Sequence, residues 1–438
     1  MTTPCLTDHE YVQPRSRLQQ TESSDSCGVL HHDTTAGSPC SNPQQLPKWL
    51  IQDRQGGWRR ITQNFTPSWF AINMGTGIVS ILLHTFGTIY PNHQASLHVL
   101  SIVFFVLNIS LFVAILSASI LRYVLYPATW TLMLDHPVQS LFLGTLPMGF
   151  STIVNMFTLV CVPRWGGATP QVAWGMWWLD AILSLACCLG LPYQMMTKHK
   201  TRHDTMTAAW LLPIVAPIVA SASGALVARE LPNPHHALMT IITSYVLWGT
   251  GVPLAFIVLT IYFHRLAVYK LPPNEVIVSV FLPLGPMGQG GYAIMQLGKL
   301  SMRVFPETQT LHVSAGDVLY IVGCGVAILM WGSGLVWLFF ALGAVLGRGR
   351  FPFNMGWWGF TFPIGVFAMA TLTLGEEIPS SFFRVVGTVL GVSVLLLWVV
   401  VASGTALNML RGKLFEAPCL RELEKGCRAR RDGGQRDA

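Results

Sequence analysis

The sequence predicts an all-α integral membrane protein: ten transmembrane helices, paired as five helical hairpins in a quasi-fivefold arrangement around a central pore. Three observations carry this expectation. Of the 438 residues, 52% are hydrophobic and 11% are charged, well under the roughly 25% charged residues of a soluble domain. Ten stretches are long and apolar enough to cross a hydrocarbon core, which takes about 20 helical residues. Proline followed by small residues recurs in every second stretch.

The spans are expected at 66–86, 95–121, 138–162, 171–196, 207–228, 236–263, 276–298, 316–346, 356–375 and 382–409. An even number places both termini on one side of the membrane. Loops on that side are richer in Lys and Arg, with Arg122, Lys198, Arg265 and Arg348 among them, than the opposite loops with Arg164, Arg229, Lys299, Arg303 and Arg384. The bias predicts cytoplasmic termini in a multi-pass protein. Residues 1–58 are expected to form a disordered cytoplasmic tail rich in Ser, Thr, Pro and Gln. Its end, in "PKWLIQDRQGGWRRI", mixes Trp49 and Trp58 with basic residues, as an interfacial segment would. Residues 59–410 are the membrane domain. Residues 411–438, beginning "RGKLFEAPCLRELEKGCRARR", form a basic cytoplasmic tail suited to anionic lipid. Cys419 and Cys427 there are either palmitoylation sites or part of an ordinary solvated tail. The net charge of +7 has its largest contribution in the tails, which fits a membrane face and no nucleic acid. Of two glycosylation sequons, at Asn64 and Asn108, the second falls inside a span.

The odd-numbered spans read "FTPSWFAINMGTG", "LGTLPMGFSTIVN", "WLLPIVAPIVASASG", "FLPLGPMGQGG" and "FTFPIGVFAMAT". Pro67, Pro147, Pro213, Pro283 and Pro363 recur at steps of roughly 65–80 residues, a period that sets an architecture of repeated hairpins. Pro217 and Pro286 add second prolines to two of them. The even spans are bulky, rich in Leu, Ile, Val and Trp. Irregular backbone at membrane depth is tolerated only inside protein or beside a water-filled cavity, so the proline-bearing helices are expected inside. On this reading the prolines kink the helices, and the helix resumed beyond each kink exposes N–H groups that attract anions. Close packing through small residues is the competing explanation.

No Lys or Arg falls well inside a span. An anion passing there would meet backbone dipoles, hydroxyls and amides, a weak site of the kind conduction needs. The expected pore-lining residues are Asn73, Thr76, Thr152, Asn155, Ser221, Gln289, Gly288 and Gly290; a bond to its own preceding turn is the alternative for each polar one. Asp180, in "WGMWWLDAILSL", is the acidic residue within a span. Intramembrane carboxylates invite a proton-handling role, but its place on a smooth even helix favours a structural partner. Enzyme motifs fail: "GQGGYA" follows no strand, "GKLS" lacks the spacing of a phosphate loop, and the histidine pairs show no metal-ligand spacing. No enzyme activity, cofactor or metal is expected. A receptor would not need five proline-bearing helices.

The runs "LGTLPMG" (143–149), "PLGPMGQG" (283–290), "GWWGFTFPIG" (356–365) and "FRVVGT" (383–388) resemble the fungal sulfite efflux pumps. These belong to the tellurite-resistance/dicarboxylate transporter family, which includes plant slow anion channels. The resemblance spans about Asn64 to Arg411. It implies ten helices in five hairpins around a pore, a homotrimer with one pore per subunit, and a phenylalanine that plugs the pore, matched here by Phe362. The alternative for Phe362 is a packing aromatic. The implied activity is export of sulfite or bisulfite across the plasma membrane; a malate or other C4-dicarboxylate carrier is the alternative within the family.

Overall fold

Each inner helix is entered through a tight 3₁₀ segment, and that entry places the prolines. The computed structural model describes residues 57–199 and 201–424 of the chain. The N-terminal tail up to residue 56, with Trp49, and Cys427 lie outside them. Ten long helices follow in order: α1 (Phe70–Ile89), α2 (Gln94–Leu125), α3 (Thr145–Met156), α4 (Thr169–Thr197), α5 (Leu211–Glu230), α6 (Pro234–Tyr269), α7 (Leu284–Thr308), α8 (Ala315–Leu346), α9 (Thr361–Glu377) and α10 (Ser381–Leu410). A π turn, Phe157–Cys161, extends α3 into Val162–Trp165. Among the described residues, nine helices are long and apolar enough to cross a membrane. The tenth, α7, has the length, but its glycines, Gln289, Lys299 and Arg303 lower its hydropathy, and relative to the expected 276–298 it is shifted toward the C-terminus, starting at Leu284 and ending at Thr308.

Consecutive helices pair as hairpins, α1 with α2 through α9 with α10. The odd helices also pack on one another in a closed circuit, α1 on α3, α3 on α5, α5 on α7, α7 on α9 and α9 back on α1. The apolar windows of α1, α3, α5 and α9 are 72–100% buried, and those of the even helices 22–39%. The inside-outside division expected from the prolines is therefore present.

The kink expectation is corrected. Segments Pro67–Trp69, Ser140–Gly144, Ala208–Trp210, Asn274–Phe281 and Met355–Phe360 are 3₁₀ helices leading into α1, α3, α5, α7 and α9. Pro147, Pro213, Pro286 and Pro363 each occupy the third position of the α-helix that follows. Pro67 opens its 3₁₀ segment and Pro283 immediately precedes α7. A proline in the first turn removes an N–H that has no intrahelical partner and supplies a helical φ. These residues mark the change from 3₁₀ to α winding. Pro217 alone of the seven lies in a helix interior. The N–H groups at the junctions are not free either: those of Thr145, Leu211 and Thr361 donate to carbonyls of the preceding 3₁₀ turn.

An outer-helix donor fastens each inner helix from the neighbouring hairpin. Asn108 Nδ2 on α2 donates to Thr152 Oγ1 on α3 at 2.9 Å, and Trp177 Nε1 on α4 to the Ala220 carbonyl on α5 at 2.8 Å. Trp248 Nε1 on α6 donates to the Gly290 carbonyl on α7 at 2.9 Å, and Trp331 Nε1 on α8 to Thr371 Oγ1 on α9 at 2.9 Å. Trp398 Nε1 on α10 closes the set onto Thr76 Oγ1 of α1 at 3.1 Å. An indole suits this position because its ring faces lipid or core while its single donor must find an acceptor. Trp248→Phe is expected to cost about 0.6–1 kcal/mol, the worth of one such bond between membrane helices. The unfolding midpoint in detergent reads this, with the 70%-exposed Trp165 changed to Phe as the silent control.

Candidate transport pathway

The 3₁₀ entries and first α turns of the five inner helices converge on one cavity of about 970 Å³, on the side where the described chain begins and ends. Met74 of α1, Thr145 of α3, Leu212 of α5, Leu282 before α7 and Phe362 of α9 all border it. Phe362 is 4% exposed and sits where the cavity meets the apolar cluster of Met74, Ile78, Val215, Val366 and Met369. Among the described residues no aromatic ring packs on the Phe362 ring; by contrast Phe367, one and a half turns on, stacks against Trp331 at 6.1 Å. Pro67 and Pro363 also border the cavity.

None of the eight residues expected to line the pore borders this cavity. Asn73 donates through Nδ2 to the carbonyl and Oδ1 of Asn108, both at 3.2 Å. Thr76 and Thr152 accept the outer-helix donors described above, and Ser221 donates to the Ser244 carbonyl of α6 at 2.7 Å. These side chains hold inner helices to outer ones. A Cβ on Gly288 would meet the Phe367 backbone at 2.6 Å, and one on Gly290 would meet the Met330 side chain at 2.5 Å. Both glycines serve close helix packing, the competing explanation of their run. Asn155 and Gln289 are buried at 6% and 5% exposure, with Asn155 Oδ1 unpartnered.

Asp180 is fully buried on α4 and accepts a short hydrogen bond from Ser151 of α3. Two other hairpins place a backbone carbonyl in the same role: Ser80 of α1 donates to the Ser101 carbonyl of α2 at 2.8 Å, as Ser221 does to Ser244. The Asp180 carboxyl thus occupies an acceptor position in a repeated inner-to-outer serine contact. Asp180→Asn keeps an acceptor oxygen, so stability is expected to hold, whereas Asp180→Leu leaves Ser151 unpaired and costs about 1–3 kcal/mol. Unfolding midpoints of the two variants, with flux measured across pH, check this.

The mouth of the cavity carries both signs of charge, with Asp204, Glu275, Glu416 and Glu422 beside Arg265, Lys413 and Arg421. Arg265, 3% exposed, turns its guanidinium onto the carbonyls of Lys270 and Asp204. The hydrogen bonds from Arg202 hold the Asp204 carboxyl below the usual carboxylate range. Burial pushes the His136 imidazole below its ordinary pKa, while Glu422 at 3.5 Å pulls the other way.

The stretch after α10 forms part of the mouth. Phe415 stacks on Trp69 at 5.2 Å, and the Ala417 N–H donates to Asn64 Oδ1 at 3.1 Å. Arg122, counted above as a loop cation, is fully buried in the last turn of α2, donating to the Phe65 carbonyl and facing Cys419 Sγ at 3.9 Å. Cys419 is 5% exposed, so palmitoylation there is corrected: the thiol faces protein, and burial raises its pKa. Sequence reasoning missed this contact and the Trp donors. The recurrence of tryptophan within four of the even helices was the available signal.

Fold and cavity together define a multi-pass helical membrane protein in which a ring of inner helices narrows onto a buried phenylalanine. Residues 64–406 match the family model described as voltage-dependent anion channel (SLAC1), and the chain belongs to that family. It is 50% identical over 363 residues to the sulfite efflux pump SSU1 of Arthroderma otae, covering 83% of this chain and 95% of that one. It is 49% identical over 362 residues to the protein of that name in Arthroderma benhamiae, with the same coverage. The malic acid transport protein of Schizosaccharomyces pombe is 24% identical over 360 residues, 81% of each chain.

Proposed function

We propose that this protein exports sulfite from the cytosol across the plasma membrane, along the axis of the inner helices, with both termini cytoplasmic. The observation that carries the reading is the cavity bordered by the entries of all five inner helices and by the buried Phe362, in a chain half identical to proteins named sulfite efflux pumps. In this reading the cavity is the cytosolic vestibule and Phe362 the gate. One charge crossing the membrane is worth about 2.3 kcal/mol per 100 mV, so a cell negative inside drives anion exit without further coupling. A homotrimer with one pathway per subunit belongs to the same proposal, supported by family membership. Crosslinking in native membranes tests it.

The test of the activity is sulfite flux into proteoliposomes containing the full chain, paired with the sulfite sensitivity of cells lacking the gene. Flux with wild-type folding is the expected result; well-folded protein that passes no sulfite sinks the proposal. The second reading, a C4-dicarboxylate carrier, draws on the relative named as a malic acid transport protein. Malate competing fully with sulfite in the same assay would favour it.

A further inference from the structure

We propose that the species carried is the singly charged hydrogen sulfite, with the sulfite dianion excluded, and that Gln139 is the neutral contact selecting it; this rests on the sulfite reading above. Sulfurous acid has its second pKa near neutrality, so both anions are abundant at cytosolic pH and a pathway must take one, the other, or both.

Three observations favour the monoanion. Beyond the cavity, the inner helices carry no Lys or Arg until Arg229 and Lys299, both exposed near their far ends. At the mouth, four acidic residues stand beside three basic ones, and Arg265 is already committed to backbone carbonyls. The inner wall, with Met74, Leu212, Leu282 and Phe362, is apolar. The cost of taking an ion out of water rises with the square of its charge, so a dianion faces about fourfold the penalty of a monoanion. Past the mouth, no Lys or Arg on the inner helices offers the fixed cation that would offset it until those far ends.

Gln139 is a built polar group on this cavity. It is 6% exposed, it borders the cavity, and its Oε1 is buried with no hydrogen-bond partner. Its backbone is held in place, the N–H donating to His136 Nδ1 at 3.2 Å and the carbonyl accepting from Phe142 at 3.2 Å. A side-chain amide has donors at one end and an acceptor at the other. Once the amide turns into the cavity, hydrogen sulfite matches both ends, since its oxygens accept from the NH₂ group and its proton donates to Oε1. The dianion has no proton to offer, and would leave that buried acceptor unpaired. A buried amide left without partners is costly, which gives the position its reason.

The experiment measures sulfur(IV) flux from proteoliposomes of the full chain at fixed total concentration. Symmetric pH runs from two units below to two above the second pKa of sulfurous acid, with nitrate and sulfate as probes of fixed charge. Flux is expected to follow the monoanion, falling about a hundredfold from the acid plateau to two units above that pKa, about twofold of it by the pKa itself. Nitrate flux is expected to stay level and sulfate not to pass. Flux that holds or rises on the alkaline side overturns the inference. So does a parallel fall of nitrate flux, which would assign the effect to a protein group at the mouth such as His136, Asp204, Glu275, Glu416 or Glu422. Absence of sulfur(IV) flux at every pH with nitrate passing would instead sink the sulfite reading itself, and this inference with it. Gln139→Leu is expected to raise the half-saturating concentration about tenfold, the loss of one hydrogen bond to a charged group, with maximal flux unchanged. Gln139→Lys is expected to admit the dianion and lift flux at alkaline pH several-fold relative to acid. A folded Gln139→Leu protein with unaltered half-saturation removes Gln139 from the site.

Discussion

Replacing Phe362 by alanine is expected to raise flux per folded molecule about tenfold or more, the change that ~1.4 kcal/mol off a barrier produces. The ring lies at the inner end of the cavity, and no other ring packs on it among the described residues. Pro363 fixes the backbone just after it, so for the gate proposed above opening would fall to rotation of the side chain. Phe367 on the same helix supplies the contrast. It is fully buried, stacks on Trp331, and fills the space beside Gly334. Phe367→Ala is therefore expected to cost about 3–5 kcal/mol of stability, as removal of a buried aromatic does, with no gain in flux. Radiotracer flux normalised to folded protein, beside unfolding midpoints, separates the two. If Phe362→Ala loses stability as Phe367→Ala does and flux stays at the wild-type level, Phe362 is a packing residue.

A stability effect of similar size is expected at Gly288. A Cβ there would lie 2.6 Å from both N and Cα of Phe367. These are backbone atoms within α9, so the clash is relieved only by moving α7 and α9 apart. Overpacking costs about 1–3 kcal/mol where side chains can adjust, and more where they cannot. Gly288→Val adds two further methyl groups against the same backbone, so a loss above about 3 kcal/mol and little folded protein are expected. Gly332, on the outer helix α8, has nothing within 4 Å of its Cβ position. Gly332→Val is expected to stay within about 0.5 kcal/mol of wild type, as surface substitutions do. Chromatographic yield and thermal midpoint report both. A wild-type midpoint for Gly288→Val would mean that α7 and α9 are not in close contact.

The inside-outside division was legible because it depends on composition: a proline and small residues mark a helix that lipid does not cover, and bulky residues mark one that it does. The span edges were legible to within a few residues for most helices; α7 was displaced because Asn274–Phe281 winds as 3₁₀ helix and the α-helix starts only at Leu284. What a proline does was less legible. Pro147, Pro213, Pro286 and Pro363 read as kinks in sequence, since a residue list does not reveal where 3₁₀ winding gives way to α. The pathway residues were the least legible. Thr76, Thr152 and Ser221 are polar on inner helices, which suggests an aqueous face, yet each is taken by an outer-helix partner. The partners that claim them lie tens to hundreds of residues away, and only packing brings them together. Gln139 lay just inside the third expected span, ahead of its proline run, and carried no motif.

The most direct test of the central claim, that the anion crosses inside the inner ring, is block by a membrane-impermeant thiol reagent applied to the side of the termini. Leu282→Cys places a thiol at the inner part of the cavity, and Ile321→Cys places one on the outer face of α8, where the native residue is 68% exposed. Relative to the parent protein treated alike, the account predicts that flux through Leu282→Cys is abolished while Ile321→Cys is unaffected. Undiminished flux through fully labelled Leu282→Cys would contradict it.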